Sequence, residues 1–542
     1  MAIMSRRPAR RPRRPTSVAK PSGSIHPRVQ RVGPEHFGIV AVDCAKARSK
    51  WMLTDFYGNI LIGPIVVEHT RRGLDDFTAR IRRARTDHDL RDTIVVIERT
   101  GNYHLPVKRA AVAAGLEARI VHPLASRQFR LPADPGNKTD DTDLAAIQRA
   151  AVNGFGLIEP PIDETHARLR LLARHRRDLV RKNADVRNQI HVELDALFPG
   201  LSAAVGGIFD HEAALVIARG TGSAQEIRAR GADGLAALLD AERVPYRRPT
   251  LQRILAWAER AHEASECPDV HRRIFTHLDD ERRARLGSIR ALEGELAALL
   301  VRTPYALLLS FPGINVVTAA EFAGEMGPIA NSPRDNAITG RAGIYPARYQ
   351  SDEVDHTGPL VGRANRALRY VILLIAENLL KCNEYFHGLG EAWRAAGAGY
   401  RAVVVRAAKR FCRIAYQMVA GRQVFRHPSC RERHYILEKL SIFYSEHETP
   451  LDQVLRDLHE AVNWLPAREY AAEAERLRAG LPPAPRSAAP AAAARPHPAA
   501  PPPKPVGRPR GPRPLSAILP ELLLRLGVTM VESSASGEAD PT

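Results

Sequence analysis

The 542-residue sequence predicts an α/β domain at its amino-terminal end, mainly α-helical regions after it, and basic tails at both ends. Three observations carry this. Residues 37–155 alternate short apolar runs with amphipathic stretches, the pattern of strands interleaved with helices. Residues 160–303 repeat apolar side chains at helical spacing over long distances. Residues 1–20 and 481–514 hold seven and six Lys/Arg and no acid, and the second stretch also holds 13 prolines. Such composition cannot bury enough apolar surface to fold.

The first domain reads strand by strand. Phe37–Asp43 is a buried strand ending in a carboxylate, and Trp51–Phe56 is the second strand. Tyr57-Gly58-Asn59 turns the chain into a third, Ile60–Val67. A helix follows over about Leu74–Arg85. Thr93–Glu98 is another buried strand that ends in an acid. A helix (Leu105–Ala114), a turn at Gly115, a strand (Ala118–Val121) and a helix from Lys138 to Ala150 complete the domain. Three antiparallel strands followed by alternating helix and strand is the order of a ribonuclease-H-like fold.

Length and composition bound the rest. The chain is long enough for two to four domains, and 44% hydrophobic residues suffice for real cores. The net charge of +19 points to a polyanionic partner, nucleic acid before acidic membrane. Five cysteines without close spacing (Cys44, Cys267, Cys382, Cys412, Cys430) exclude a disulfide scaffold and suit a reducing, cytoplasmic setting. His427, Cys430 and His434 are too loosely spaced for a zinc motif, and ordinary surface residues fit better. The start lacks the apolar core of a signal peptide, and Val371–Ala376 is far too short to span a bilayer, so no membrane role is expected.

Acids concentrate at one end of the predicted sheet. A buried strand ending in a carboxylate is unusual, because isolated buried charge is heavily penalised. Here Asp43 and Glu98 both do this, while Asp140 and Asp143 stand i,i+3 on one helix face, about 5–6 Å apart. If the two strands are neighbours, four carboxylates converge. Taken singly, each is as well explained as a solvated strand end or a helix cap. Together they repel one another unless cations neutralise them, and Mg²⁺ or Mn²⁺ suits oxygen ligands and phosphate chemistry. Two such ions can serve a phosphodiester displacement.

At these residues the sequence resembles transposases of the insertion-sequence-110 family, which carry a RuvC-like Asp-Glu-Asp-Asp domain and a serine-bearing transposase domain. The resemblance lies in VAVDCAK (Val40–Lys46), VIERTGNYHLPV (Val96–Val107), IVHP (Ile120–Pro123) and KTDDTD (Lys138–Asp143). It implies that Asp43, Glu98, Asp140 and Asp143 are catalytic metal ligands. A second block runs through 307–369. LLLSFPGINVVTAA (Leu307–Ala320) reads as a helix-hairpin-helix, in which Pro312-Gly313 makes a tight turn whose N–H groups suit DNA phosphates. RAGIYPARYQS (Arg341–Ser351) is similar to the segment that ends in the family's catalytic serine, so Ser351 is the implied nucleophile; Ser310 and Ser332 rank below it. Asp352-Glu353-Val354 stand where the family carries glycines. GRANRALR (Gly362–Arg369) resembles a further family segment, and Arg348, Arg363, Arg366 and Arg369 flank the serine, with Gly313, as nucleic-acid contacts. Arginine suits this because its fork donates two parallel hydrogen bonds to a phosphate.

The resulting organisation is a disordered basic arm (1–30), a RuvC-like domain (31–158), a coiled-coil or helical region with an insert (159–303), a serine transposase domain (304–445), a helical extension (446–480) and a Pro/Ala-rich basic tail (481–542). In the middle region, Leu172, Leu179, Val186, Ile190, Leu194 and Leu197, and then Ile289, Leu292, Leu296 and Leu299, suit a helical hairpin or an intermolecular coiled coil. In the tail, Val506–Pro514 contains a Gly-Arg-Pro core like that of an AT-hook, and Leu515–Leu526 reads as a short apolar helix. The resemblance implies a metal-assisted, serine-mediated DNA recombinase. It also implies DNA and a structured guide RNA as partners, a homo-oligomer (dimer or tetramer), and a cytoplasmic, nucleoid-associated location. Two alternatives stay open: a RuvC-like nuclease that uses water, and a non-catalytic DNA-binding relative.

Overall fold

The computed structural model describes residues 21–464 apart from 134, 263–266, 352–353 and 427–434. The expected arm over 1–20, the His427/Cys430/His434 group, the AT-hook-like segment, the helix at 515–526 and the rest of the carboxy-terminal tail lie outside the described residues. The chain divides into two compact units, Met1–Pro161 and Ile162–Thr542.

The first unit is built on a five-stranded sheet in the order β3-β2-β1-β4-β5. Its strands are β1 (Phe37–Cys44), β2 (Arg48–Thr54), β3 (Ile60–Glu68), β4 (Asp92–Glu98) and β5 (Glu117–Val121). The first three pair antiparallel; β1, β4 and β5 pair parallel. This is the ribonuclease-H-like order expected from the sequence. The central strands β1 and β4 are buried on both faces, which is why they read as unbroken apolar runs. Val40 and Val42 pack with Phe77 and Ile81 of α2 (Arg71–Asp87) and with Val107 of α3 (His104–Ala113). Phe37, Ile39 and Ala41 point the other way, toward Leu144 and Ile147 of α5 (Asp140–Val152).

Two helices of this unit were not anticipated. α1 (His26–Val32) lies where the basic arm was expected to continue to residue 30. Ile25 and Val29 are buried in the second core, and Arg28 grips Asp92 through Nε and Nη2 at 2.9 and 2.6 Å. α4 (Pro123–Arg130) follows β5 directly, with His122 as its cap.

Among its described residues, the second unit is helical except for one ribbon and the connecting turns. α6 (Glu164–Leu197) and α11 (Pro268–Leu300) pack along each other as a hairpin within the chain. Between them lie α7 (Leu201–Val205), α8 (Glu212–Gly220), α9 (Ala224–Ala241) and α10 (Arg248–Ala258). These helices share a core of their own with Val186, Ile190, Leu194 and Leu197 of α6 and Phe275 of α11.

The larger core gathers α12 (Val316–Met326), α13 (Asp335–Ala342), α14 (Arg366–Cys382), α15 (Glu384–Ala395), α16 (Tyr400–Gly421), α17 (Tyr435–Glu446) and α18 (Leu451–Val462). At Gly324, α12 meets α6 so closely that a Cβ would stand 2.7 Å from the Arg170 nitrogen, so only glycine fits. A two-stranded ribbon, β6 (Pro346–Ser351) and β7 (Val354–Leu360), projects between α13 and α14. The residues before α12 form a short 3₁₀ helix, Pro304–Ser310, so the first arm of the expected helix-hairpin-helix is 3₁₀ rather than α. No described helix is long and apolar enough to cross a membrane.

Candidate active site

Parallel pairing sets the acids at one level. Val42 of β1 lies opposite Ile97 of β4, so Asp43 and Glu98, the next residues, stand side by side at the carboxyl end of the sheet. Side chains alternate across a strand, and both acids therefore fall on the α5 side. There α5 begins. Thr139 caps it, accepting from the Thr142 N–H at 3.2 Å, while Thr142 Oγ1 accepts from the Thr139 N–H at 3.0 Å. With Thr139 as the cap, Asp140, Asp141 and Asp143 all occupy the first turn, where the helix dipole favours negative charge.

Asp43 and Glu98 feel their neighbours' charge. Burial, then the charges of Asp143 and Asp140, push the Asp43 carboxyl above the usual carboxylate range. Burial, with Asp43 and Asp143, does the same to Glu98, against the hydrogen bond that Ser126 Oγ donates to Glu98 Oε2 at 2.9 Å. Cations stand nearby. Arg130 of α4 pairs with Asp143 at 3.0 Å, Lys50 of β2 pairs with Asp141 at 2.6 Å, and Lys138 acts on both Asp43 and Glu98. Among the described residues, no three carboxylates converge closely enough to hold one ion between them. The donor chemistry nevertheless fits a hard divalent cation: all four side chains offer carboxylate oxygens, and burial and neighbouring charge raise two of them.

A stability prediction follows. Asp43→Asn removes a carboxylate held in its charged form against burial and repulsion. A raised carboxyl destabilises the fold above its folded value, and that penalty vanishes below the unfolded value. The variant is therefore expected to melt higher than wild type near neutral pH in chelator, by roughly 2–4 °C for each kcal/mol relieved. The gap should close on acidification. A lower melting temperature across the range would count against the charge cluster.

The second unit carries the serine. Ser351 ends β6, is exposed, and pairs with Val354. Tyr349 pairs with His356 on the same face of the ribbon; Arg348 and Gln350 fall on the opposite face. Ser310 and Ser332 are buried, and Ser310 Oγ is spent on the Leu307 carbonyl at 2.7 Å and the Phe425 N–H at 2.9 Å. Arg363 and Arg366 are exposed beside the ribbon's end. Arg369 points inward, donating to the Ala342 carbonyl at 2.8 Å and to the Val361 carbonyl, and so pins the ribbon's base. Gly313 turns the chain at φ +94°, and Lys439 Nζ donates to the carbonyls of Leu309, Phe311 and Ile314 around that turn.

Ser126, Arg130 and Lys50 escaped the sequence reading. Only the helical spacing in PLASRQFR (Pro123–Arg130) hinted that a helix would bring the first two to the acids. Two stretches of the chain match known protein families. Residues 40–199 match a DEDD-type IS110 transposase family, and residues 305–390 match the transposase IS116/IS110/IS902 family. No curated protein matches the chain. The first match spans all four acids and the second spans Ser351, in the same order along the chain. The chain belongs to the IS110 family of transposases, enzymes that cut and rejoin DNA.

Proposed function

We propose that this transposase works by a metal-assisted serine mechanism. Asp43, Glu98, Asp140 and Asp143 hold Mg²⁺ or Mn²⁺, which when bound neutralises charge developing on the phosphate. The observation that carries the reading is the parallel register that sets Asp43 and Glu98 side by side on the face where α5 begins with Asp140 and Asp143; burial, and then neighbouring negative charge, raise the Asp43 and Glu98 carboxyls, and a cation would offset both. Ser351 Oγ attacks a DNA phosphorus. The serine loses its proton, the oxygen–phosphorus bond forms, and the departing strand oxygen leaves and gains a proton. A strand hydroxyl then attacks the phosphoserine, rejoins DNA and restores the serine. Arg348, Arg363 and Arg366 bind neighbouring phosphates, and Arg369 holds the ribbon. The N–H side of the Gly313 turn binds the DNA backbone. A structured guide RNA and assembly as a dimer or tetramer belong to the same reading.

The test is excision from a plasmid that carries the gene with long native flanks, read by PCR across the joined-end junction. Wild type is expected to form the junction, and Asp43→Ala and Ser351→Ala to lose it. A junction that survives Ser351→Ala removes that serine from the reaction. Cut ends without a junction in Ser351→Ala point to the nuclease that uses water.

A further inference from the structure

We propose that the solvent face of α16, together with the cavity at its carboxyl end, binds an unpaired stretch of DNA at a site distinct from the four acids and Ser351. This helix lies beyond the family-matched residues 305–390. It contains Arg401, Arg406, Lys409, Arg410 and Arg413 and no acid. Its apolar side, including Val403, Ala407, Phe411 and Ala415, is buried in the large core. The spacing 406, 409, 410, 413, 417 sets four cations and Gln417 along one exposed stripe, about 16 Å long at ~1.5 Å per residue. Among the described residues no acid pairs with Arg406 or Lys409. Arg413 meets Asp335 at 3.2 Å, but the arginine is exposed and the acid only half-buried, and such a pair holds the arginine weakly. A row of cations with so little compensation suits a phosphate backbone.

What lies at the end of the stripe narrows the ligand. A cavity of about 540 Å³ opens there, and Tyr385, Arg410, Gln417, Gln423, Phe425 and Arg426 are among its lining residues. Arg410 Nε donates to the Tyr385 hydroxyl at 2.7 Å, with its guanidinium 5.7 Å from that ring's centre. Phe425 stacks on Phe311 at 4.1 Å between ring centres and is thereby held in place. The volume falls in the range of small-ligand sites. Aromatic rings offer stacking, glutamine amides offer both donors and acceptors to a base edge, and arginine takes phosphate. An acidic peptide would use the cations but not the rings and amides. A paired base cannot enter such a cavity, so the occupant is a nucleotide outside a duplex. Because this enzyme cuts and rejoins DNA, the strand is DNA. The inference does not depend on the serine-and-metal reading.

Photo-crosslinking tests it on the full chain, so that contacts of the basic tails are separated by position. A single-stranded DNA oligonucleotide carrying bromodeoxyuridine is irradiated with the protein in chelator, and crosslinked peptides are mapped by mass spectrometry. Crosslinks to the peptides containing Tyr385 or Phe425 are expected. Their yield should fall roughly tenfold in Arg406→Ala/Lys409→Ala and in Gln417→Ala, all exposed positions whose replacement leaves the core intact. A duplex of the same sequence should crosslink there weakly. The proposal is overturned if crosslinks map only elsewhere, if duplex matches single strand, if the variants crosslink like wild type, or if RNA of that sequence is preferred.

Discussion

Ser351→Ala is expected to abolish the covalent protein–DNA adduct trapped on a nicked substrate and resolved on a denaturing gel. Removing a covalent nucleophile typically costs on the order of 10⁴-fold or more in rate. The substitution deletes one oxygen from an exposed strand end and breaks no described hydrogen bond, so the melting temperature should stay within about 1 °C of wild type. Ser310→Ala supplies the contrast. Its hydroxyl bridges the Leu307 carbonyl and the Phe425 N–H inside the core, so this variant should melt lower yet still form the adduct. An adduct that persists in Ser351→Ala and disappears in Ser310→Ala would reverse the assignment.

Glu325→Ala carries the largest expected loss of stability. Glu325 on α12 is 1% exposed and accepts from Arg174 of α6 through two hydrogen bonds, at 2.6 and 2.9 Å. Asn365, the cap of α14, donates to the same carboxylate at 3.0 Å. One carboxylate thus ties the helical hairpin, the core and the helix that follows the ribbon. Burial pushes its pKa up, but the bonds from Arg174 and Asn365 outweigh burial and hold it below the usual range. Removing one partner of a fully buried ion pair costs about 3–5 kcal/mol, but Arg174 is 49% exposed and can be hydrated, so a loss of about 2 kcal/mol is expected, measurable as a lower urea midpoint. A depressed carboxyl stabilises the fold above its unfolded value, and that contribution is lost as pH falls through the folded value. The difference between wild type and variant should therefore narrow in acid. A loss under about 1 kcal/mol would show that the arrangement carries little energy.

Much of the first unit was legible because its signals are one-dimensional. β1 and β4 are buried on both faces, so they stand out as VAVD and VVIE, with acids at their ends. The sheet's parallel register then does the rest. α6 and α11 were legible from apolar spacing, though only the folded chain shows that they pair with each other. The ribbon was not legible: every residue of β6 is exposed, so PARYQS shows no alternation to mark a strand. α1 was hidden because HPRVQRV buries only Val29 and otherwise reads like the basic arm before it. The ion pairs of Arg130 and Lys50 depend on which elements meet across the sheet end, and no local pattern encodes that.

The hairpin of α6 and α11 also sets a length. From Arg174, which is fastened to α12, to Leu197, where α6 ends within the small helical core, the helix runs roughly 35 Å at ~1.5 Å per residue. One turn of B-form DNA is about 34–36 Å. The two ends of this stretch are therefore about as far apart as one such turn is long. If its base and its tip both grip one duplex laid along it, they meet the same side of that duplex a full turn apart.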